Sequence, residues 1–479
     1  MNEPVTSNQI FSTDLYNRHN QIWNVINYWT THRNGTDRFE LTWPFASDPS
    51  NFTDQMLTAA WVFHSKGYRP DQKTLHRQPS AYNLPQEINV NIAGNWQQPL
   101  PDIYLKLSDP ELRIRIQTAR DHFGRQLVIL GHHYQQDNVV EFADFTGDSF
   151  ELSRRAAEQH DAEFVVFCGV HFMAESADIL TDPSVKVILP DLGAGCSMAD
   201  MANIDQTLQC WAELLDTCPG QTIVPITYMN SSAAIKAFVG EHGGAVCTSS
   251  NCRDVLEWAL RGGANPQPVA GKVKVLFFPD QHLGRNTAYA MGYPLDRMVL
   301  WDPRQDLGGN DESKLRDADF VLWKGHCSVH ALFRPEHVDQ VRAKAPNMKV
   351  IVHPECRWEV VQKADLAGST AFIAKQIEAA PPGSEWAIGT EVHLVHRLAM
   401  QHPEQKITVL SDCQCLCTTM FRIDLPHMCW VLENLMEGNV VNQIKVDDKT
   451  RQWSLVALDR MLKIKPAPVP QSRSVATVD

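Results

Sequence analysis

From about residue 107 onward, short apolar runs alternate with stretches of helical period. The runs at 126–130, 164–167, 185–189, 222–226, 273–278, 320–323, 350–352 and 407–410 are rich in Val, Ile, Leu and Phe. Most are followed by amphipathic segments, such as 149–159, 231–239, 335–345 and 392–401. A strand that is apolar throughout is covered on both faces, and covering helices between successive strands imply parallel pairing. The pattern predicts an α/β fold with parallel sheets. So many strands over about 360 residues predict several small sheets rather than one.

The flanks differ in texture. Residues 1–106 carry many Asn, Gln, Thr and Trp and few clean strands, with a short helix expected at 57–63. This N-terminal extension reads as an accessory or oligomerisation segment in which no catalytic motif lies, so it is expected to be dispensable for chemistry. The tail from 465 to 479 holds Pro466, Pro468 and Pro470 and little that packs, and it reads as disordered.

Composition narrows the class. The chain has 479 residues, 43% of them hydrophobic, enough to bury several cores. A net charge of -13 argues against a general nucleic-acid binder, which needs a basic surface to displace counterions. No apolar run approaches the roughly 20 residues that span a bilayer. The start, Met1-Asn2-Glu3-Pro4, lacks a basic region followed by an apolar one, so a cytoplasmic protein is expected. Twelve cysteines in such a chain point to metal binding or catalysis rather than disulfides.

The polar residues cluster where the strands end: Gly131-His132-His133-Tyr134, Gly195-Cys196, Tyr228-Met229-Asn230, Pro279-Asp280, His326-Cys327 and His353-Pro354-Glu355. Ligands of open α/β sheets bind at the carboxyl ends of strands, so several sheets can face one another around a shared site. Cys196, Cys327 and the run Cys413-Gln414-Cys415-Leu416-Cys417 lie in such loops. Thiolates are soft ligands suited to iron–sulfur clusters, and three of them leave one iron open as a Lewis acid. Taken alone, the cysteines are equally open to a zinc set, a redox element or buried structural thiols. His132, His330 and His353 share a loop context, and Glu355 beside His353 suits acid–base work. Ser149, Ser249, Ser369 and Thr370 stand at strand-to-helix junctions, where a hydroxyl caps a helix, binds an anion, or does both.

Together these segments resemble quinolinate synthase. The resemblance runs from about Leu127 to Met420. It includes Gly147-Asp148-Ser149, Ala194-Gly195-Cys196-Ser197-Met198, Thr227-Tyr228-Met229-Asn230, Gly325-His326-Cys327-Ser328, Val352-His353-Pro354-Glu355, Ala367-Gly368-Ser369-Thr370, Gly389-Thr390-Glu391 and Cys417-Thr418-Thr419-Met420. It implies three similar α/β domains around a central [4Fe–4S] cluster, with limits at 107–215, 216–325 and 326–420, then a segment 421–464 packed on the core. It implies condensation of iminoaspartate with dihydroxyacetone phosphate to quinolinate, phosphate and water, for NAD biosynthesis. The iminoaspartate would come from an aspartate oxidase or dehydrogenase, and neither nucleic acid nor membrane takes part. Carried over by matching position, the cluster ligands are Cys196, Cys327 and Cys417, and the proton carriers are Glu355 and Tyr134. The implied substrate-binding set is His132, Ser149, Tyr228, Met229, Asn230, Ser249, His330, His353, Pro354, Ser369 and Thr370, with Glu355 beside them.

The chain departs from compact members in three ways: its first hundred or so residues, added length around 262–271 and 302–317, and a third cysteine that sits in a run of three. Two further readings remain beside the resemblance: another cluster-dependent hydro-lyase on the same scaffold, and a non-enzymatic iron–sulfur sensor or carrier. A sensor usually closes its cluster with four protein ligands and has no use for Glu355.

Overall fold

The structure, a computed structural model, describes residues 97–264, 271–411 and 415–464. Nearly all of the N-terminal extension with its 57–63 helix, Cys413 and the tail lie outside the described residues. Those described belong to one compact unit that begins at Asn91.

Three sheets are present. The first holds β1 (Leu127–His132), β2 (Phe145–Gly147), β3 (Phe164–Cys168) and β4 (Lys186–Ile188). The second holds β5 (Thr222–Tyr228), β6 (Ala245–Cys247), β7 (Val273–Phe278), β8 (Met298–Trp301) and β9 (Phe320–Trp323). The third holds β10 (Lys349–Val352), β11 (Leu366–Ala367), β12 (Glu385–Gly389) and β13 (Lys406–Val409). All pair in parallel. A last strand, β14 (Gln443–Ile444), adds antiparallel to β4. The predicted apolar runs are all strands, and β1, β7 and β9 are buried almost throughout. The strands without a predicted counterpart are mostly short ones: β2, β6, β11 and β14 have two or three residues each.

The orders β14-β4-β3-β1-β2, β6-β5-β7-β9-β8 and β11-β10-β12-β13 share one plan. In each, the first strand lies between the second and the third, and a further parallel strand lies beside the third; the second sheet adds β8 outside β9. Local details repeat as well. The Asp144 carboxylate accepts the Ile129 N–H and pairs with Arg120, and Asp365 does the same with Val350 and Arg342. The repeat is one of topology and turn chemistry, with no strict sequence repeat beneath it.

Helices fill the crossovers, and several start at a capping side chain. Asp148 accepts the N–H groups of Phe150 and Glu151 at the head of Ser149–Ala157, and Glu391 accepts that of His393 at the head of Val392–Gln401. The C-terminal segment joins two units. Helix Leu425–Met436 packs in the core of the first sheet, while Ala457, Leu458 and Met461 of helix Asp448–Lys463 pack in that of the second.

The expected start of the fold at residue 107 is too late. Tyr104, in helix Asp102–Lys106, is buried in the first core and its hydroxyl donates to Glu433 at 2.7 Å. The Gln97 side-chain carbonyl accepts the Leu192 N–H at 2.8 Å, on the loop leading to Cys196. An aromatic in a polar stretch does not read as core until its partners are known.

Candidate functional site

The shared plan places the loop after the first strand of each unit at equivalent positions. After β1 the Gln135 N–H bonds the His132 carbonyl, and after β10 the Cys356 N–H bonds that of His353, both at 2.9 Å. The Tyr134 N–H donates to His132 Nδ1 at 3.1 Å, and the Glu355 N–H donates to His353 Nδ1 at 3.3 Å. His132 therefore corresponds to His353, and Tyr134 to Glu355; in the second unit Tyr228 ends β5 and Asn230 follows it. With Nδ1 accepting a backbone proton, each neutral imidazole carries its own proton on Nε2 and is a donor there. Burial keeps both rings neutral: it lowers His132 well below its ordinary value, and His353 to about 3.

The cysteines repeat even more closely. Each follows the strand beside its unit's third: Cys196 after β4, Cys327 after β9, Cys417 after β13. Each closes the same turn, with Asp200 N–H to the Cys196 carbonyl, Ala331 N–H to that of Cys327 and Phe421 N–H to that of Cys417, all at 3.0 Å. Each sulfur also receives the N–H of the residue three further on, Ala199, His330 and Met420. Cys327 is preceded by Gly325 for steric reasons: a Cβ there would meet the Pro279 carbonyl oxygen at 2.1 Å. Cys415 has a different setting. It is buried in the core of the third sheet, with its sulfur 3.5 Å from the Ser411 hydroxyl.

One cavity, with about 80 Å3 of room for water-sized groups, is lined from all three units. Cys196, Cys327 and Cys417 line it, as do His132, Tyr134, Ser149, Tyr228, Met229, Asn230 and Ser249, and His330, His353, Glu355 and Thr370. Of the expected site residues, Pro354 and Ser369 are not in its wall. Ser369 caps helix Thr370–Glu378 by accepting the Phe372 N–H at 3.2 Å, the ordinary task of such a serine. Ser149 is relieved of that task by Asp148, and its hydroxyl stays with the cavity.

The donor set fits a polynuclear metal group. Burial pushes the Cys196 thiol up to about 12 and raises Cys327 and Cys417; the neighbouring thiols add to the rise at Cys196 and Cys327. Three thiolates gathered in a buried cavity need a cation to offset them. One mononuclear ion would hold its sulfurs about 3.8 Å apart, from a metal–sulfur distance near 2.3 Å. The three cysteines do not converge that closely. Among the described residues the group whose donor atoms lie within 4.8 Å of one another is Cys327, His330 and Glu355, which brings a thiol, an imidazole and a carboxylate within reach of a metal.

Along the cavity wall, with Thr390 behind it, runs a chain of hydrogen bonds that crosses all three units. His330 Nδ1 lies 2.9 Å from Glu355 Oε2, and its Nε2 lies 3.2 Å from the Thr390 hydroxyl. Thr390 is 3.0 Å from the Tyr134 hydroxyl, which is 3.3 Å from that of Thr370. At the other end Tyr228 bonds both Glu355 and Ser249. Burial alone would raise the Glu355 carboxyl, but His330, His353 and the Tyr228 hydroxyl outweigh it and hold it below the ordinary carboxylate range. An ionised Glu355 only accepts, so His330 donates to it from Nδ1, and a neutral ring that does so accepts from Thr390 at Nε2. The order of donors then runs one way, from Tyr134 through Thr390 and His330 to Glu355.

Two members of this arrangement, Thr390 and Glu391, belong to a quoted motif but are absent from the expected site. Thr390 bridges Tyr134 and His330, and Glu391 accepts the Cys417 N–H at 3.3 Å. Both are fully buried. Their position directly after an apolar stretch, like that of His353 after β10, was the available signal.

The family model described as quinolinate synthetase A protein matches residues 114–463. The quinolinate synthase of Acidobacterium capsulatum is 59% identical over 367 residues, covering 76% of this chain and 96% of that protein. That of Corynebacterium glutamicum is 54% identical over 379 residues, 79% and 94% of the two chains. That of Anoxybacillus flavithermus is 51% identical over 375 residues, 78% and 99%. With a family match spanning the three sheets and relatives covered nearly end to end, this chain belongs to the quinolinate synthase family.

Proposed function

We propose that the chain condenses iminoaspartate with dihydroxyacetone phosphate to form quinolinate, phosphate and water in the three-unit cavity. The observation that carries this reading is that three cysteines with one turn geometry face the same cavity as Glu355, Tyr134 and the Nε2 donors His132 and His353. Cys196, Cys327 and Cys417 would hold a [4Fe–4S] cluster, which supplies, when bound, a Lewis-acidic iron with an open position.

The chain's own residues do the rest. Both substrates are anionic, and the net charge of -13 gives no general attraction. Local donors must bind them instead: the Nε2–H groups of His132 and His353, the Asn230 amide, and the hydroxyls of Ser149, Ser249 and Thr370. Thr370 opens a nine-residue helix whose remaining free N–H groups add to the pull on a carboxylate or phosphate, whereas at the helix opened by Ser149 the Asp148 carboxylate already takes the N–H groups of Phe150 and Glu151. Met229 and Tyr228 form apolar wall, and burial of Tyr228 raises its hydroxyl well above the ordinary value, so it stays a donor. Pro354 and Ser369 serve from behind, one in the Glu355 loop and the other as a helix cap. Glu355 takes protons released during imine tautomerisation and dehydration, and His330, Thr390 and Tyr134 connect it to the first unit.

Domain limits at 107–215, with the start moved back to Gln97, at 216–325 and at 326–420, with 421–464 as a packing segment, go with this reading, since each span holds the parallel strands of one sheet. Iminoaspartate is consumed where an aspartate oxidase or dehydrogenase makes it, and we place both steps in the cytoplasm, with no role for nucleic acid or membrane. Among the described residues no helix is long and apolar enough to cross a membrane. The test is anaerobic purification with iron and sulfide counts, followed by a quinolinate assay on the two substrates. Protein holding zinc without sulfide, or a loaded protein that forms no quinolinate, overturns the proposal.

A further inference from the structure

Two of the three loops that build the cavity are gripped by a side chain from a neighbouring unit. In the helix after β12, Arg397 donates from Nη1 to the His133 carbonyl at 3.0 Å and from Nη2 to the Gln135 carbonyl at 2.7 Å; its Nε donates to Asp137 at 3.0 Å. Those carbonyls flank Tyr134. In the helix after β7, Asn286 Nδ2 donates to the carbonyls of Pro354 and Cys356, both at 2.8 Å. Those carbonyls flank Glu355. Each helix follows the third strand of its unit, and the offset from its first residue is the same, Gln281 to Asn286 and Val392 to Arg397. Bonds to the carbonyls of the residues before and after one position hold the peptide that precedes it and the one just beyond its successor, and so restrict how its side chain can turn. Asn286 is 6% exposed and its Oδ1 has no partner, so the amide is present for its donor end.

The third loop lacks this grip. Ser176 stands at the corresponding offset from His171, and its hydroxyl bonds Phe172 in its own helix. The loop carrying Asn230 has no such pair of bonded carbonyls: Lys236 of its own unit bonds the Ser231 carbonyl, and Glu175 of the first unit accepts the Ala233 N–H at 2.9 Å. The double clamp thus falls on the loops of the two residues assigned to proton transfer and not on the loop assigned to binding alone. We propose that Asn286 and Arg397 are positioning residues that hold Glu355 and Tyr134 in register across two unit boundaries. This rests on the reading of Glu355 and Tyr134 given above.

The test uses the full, cluster-loaded chain with Asn286→Ala and Arg397→Lys, the latter keeping the charge near Asp137 but losing the planar fork. Rates are normalised to iron content and to sites that bind dihydroxyacetone phosphate. The expected result for Asn286→Ala is a kcat lower by about 100-fold with KM nearly unchanged, because misplacement of a reacting group by about 1 Å costs that much. Amide exchange should rise about tenfold at 353–356 in Asn286→Ala and at 133–137 in Arg397→Lys, and stay unchanged at 228–231. Unchanged exchange in the clamped loops, or a kcat per site within twofold of the parent, overturns the inference; a loss accounted for by missing iron or missing sites does the same. If Asn286→Ala does not accumulate, Arg397→Lys decides. If the parent protein makes no quinolinate but exchange responds as expected, the functional reading falls and the clamp stands.

Discussion

Replacing Thr390 by valine removes one hydroxyl and keeps the shape. In the folded protein that hydroxyl serves Tyr134 at 3.0 Å and His330 Nε2 at 3.2 Å, and the residue is fully buried. Tyr134 keeps a second partner in Thr370, so its hydroxyl is not stranded. His330 Nε2 loses its donor within the interior. One lost bond at about 1 kcal/mol, plus an unsatisfied buried nitrogen at about 1–3 kcal/mol, gives a stability loss of about 2–4 kcal/mol. The larger effect is on the rate. The ordered path between Tyr134 and Glu355 has no other link on the first-unit side of His330, and losing a positioned proton carrier costs about 100-fold or more. Thr390→Ser keeps the hydroxyl and is the control. Both proteins are prepared without oxygen, loaded, and compared by quinolinate formation and by denaturant midpoint. Equal rates in Thr390→Val and Thr390→Ser would refute the relay, whatever the stabilities show.

Glu355→Gln is expected to abolish quinolinate formation while iron and sulfide counts stay at parent levels; near-normal turnover removes Glu355 from the mechanism. Cys417→Ser should lose the cluster, whereas Cys415→Ser and Cys413→Ser keep it, as iron counts and the visible spectrum of anaerobic protein will show; a full cluster in Cys417→Ser contradicts the turn equivalence. Lys274 tests the linkage of stability to pH. Burial lowers its ammonium from 10.5 to about 8 while its Nζ bonds the carbonyls of Leu315 and Ala318. The unfolded chain keeps that proton to higher pH, so unfolding takes up a proton between the two values and stability rises with pH across that window, by about 3 kcal/mol in all. In denaturant titrations Lys274→Met should lack this rise, and parallel curves for variant and parent at pH 8 and 10 would refute the assignment. Finally, a chain starting at Gln97 should fold, load and turn over as the full chain does. One starting at Leu107 loses Tyr104 and the Gln97 anchor and should unfold at lower denaturant; equal midpoints would show that these contacts carry nothing.

The kind of fold, and which loops gather at the cavity, were legible along the chain. Continuous apolar runs such as 273–278 are legible because a strand covered on both faces has no polar position to spare. The cysteine turns, and the loops of His132 and His353, are legible because they begin where such runs stop. Strands of two or three residues, β2, β6 and β11, escape because so short a stretch has no period, yet they set the placement of Ser149, Ser249 and Thr370. The order of strands in each sheet, and hence the equivalence of Tyr134 with Glu355 and of Cys417 with Cys196 and Cys327, was decided only in three dimensions. So were the partners of Thr390, Asn286 and Arg397. Thr390 meets Tyr134 across 256 residues of chain, and Arg397 meets the His133 carbonyl across 264. Residue type and local period report whether a position is buried, but a hydrogen bond between units depends on how one sheet is seated against another. That seating comes from the packing of all three cores together, which no local stretch of the chain encodes.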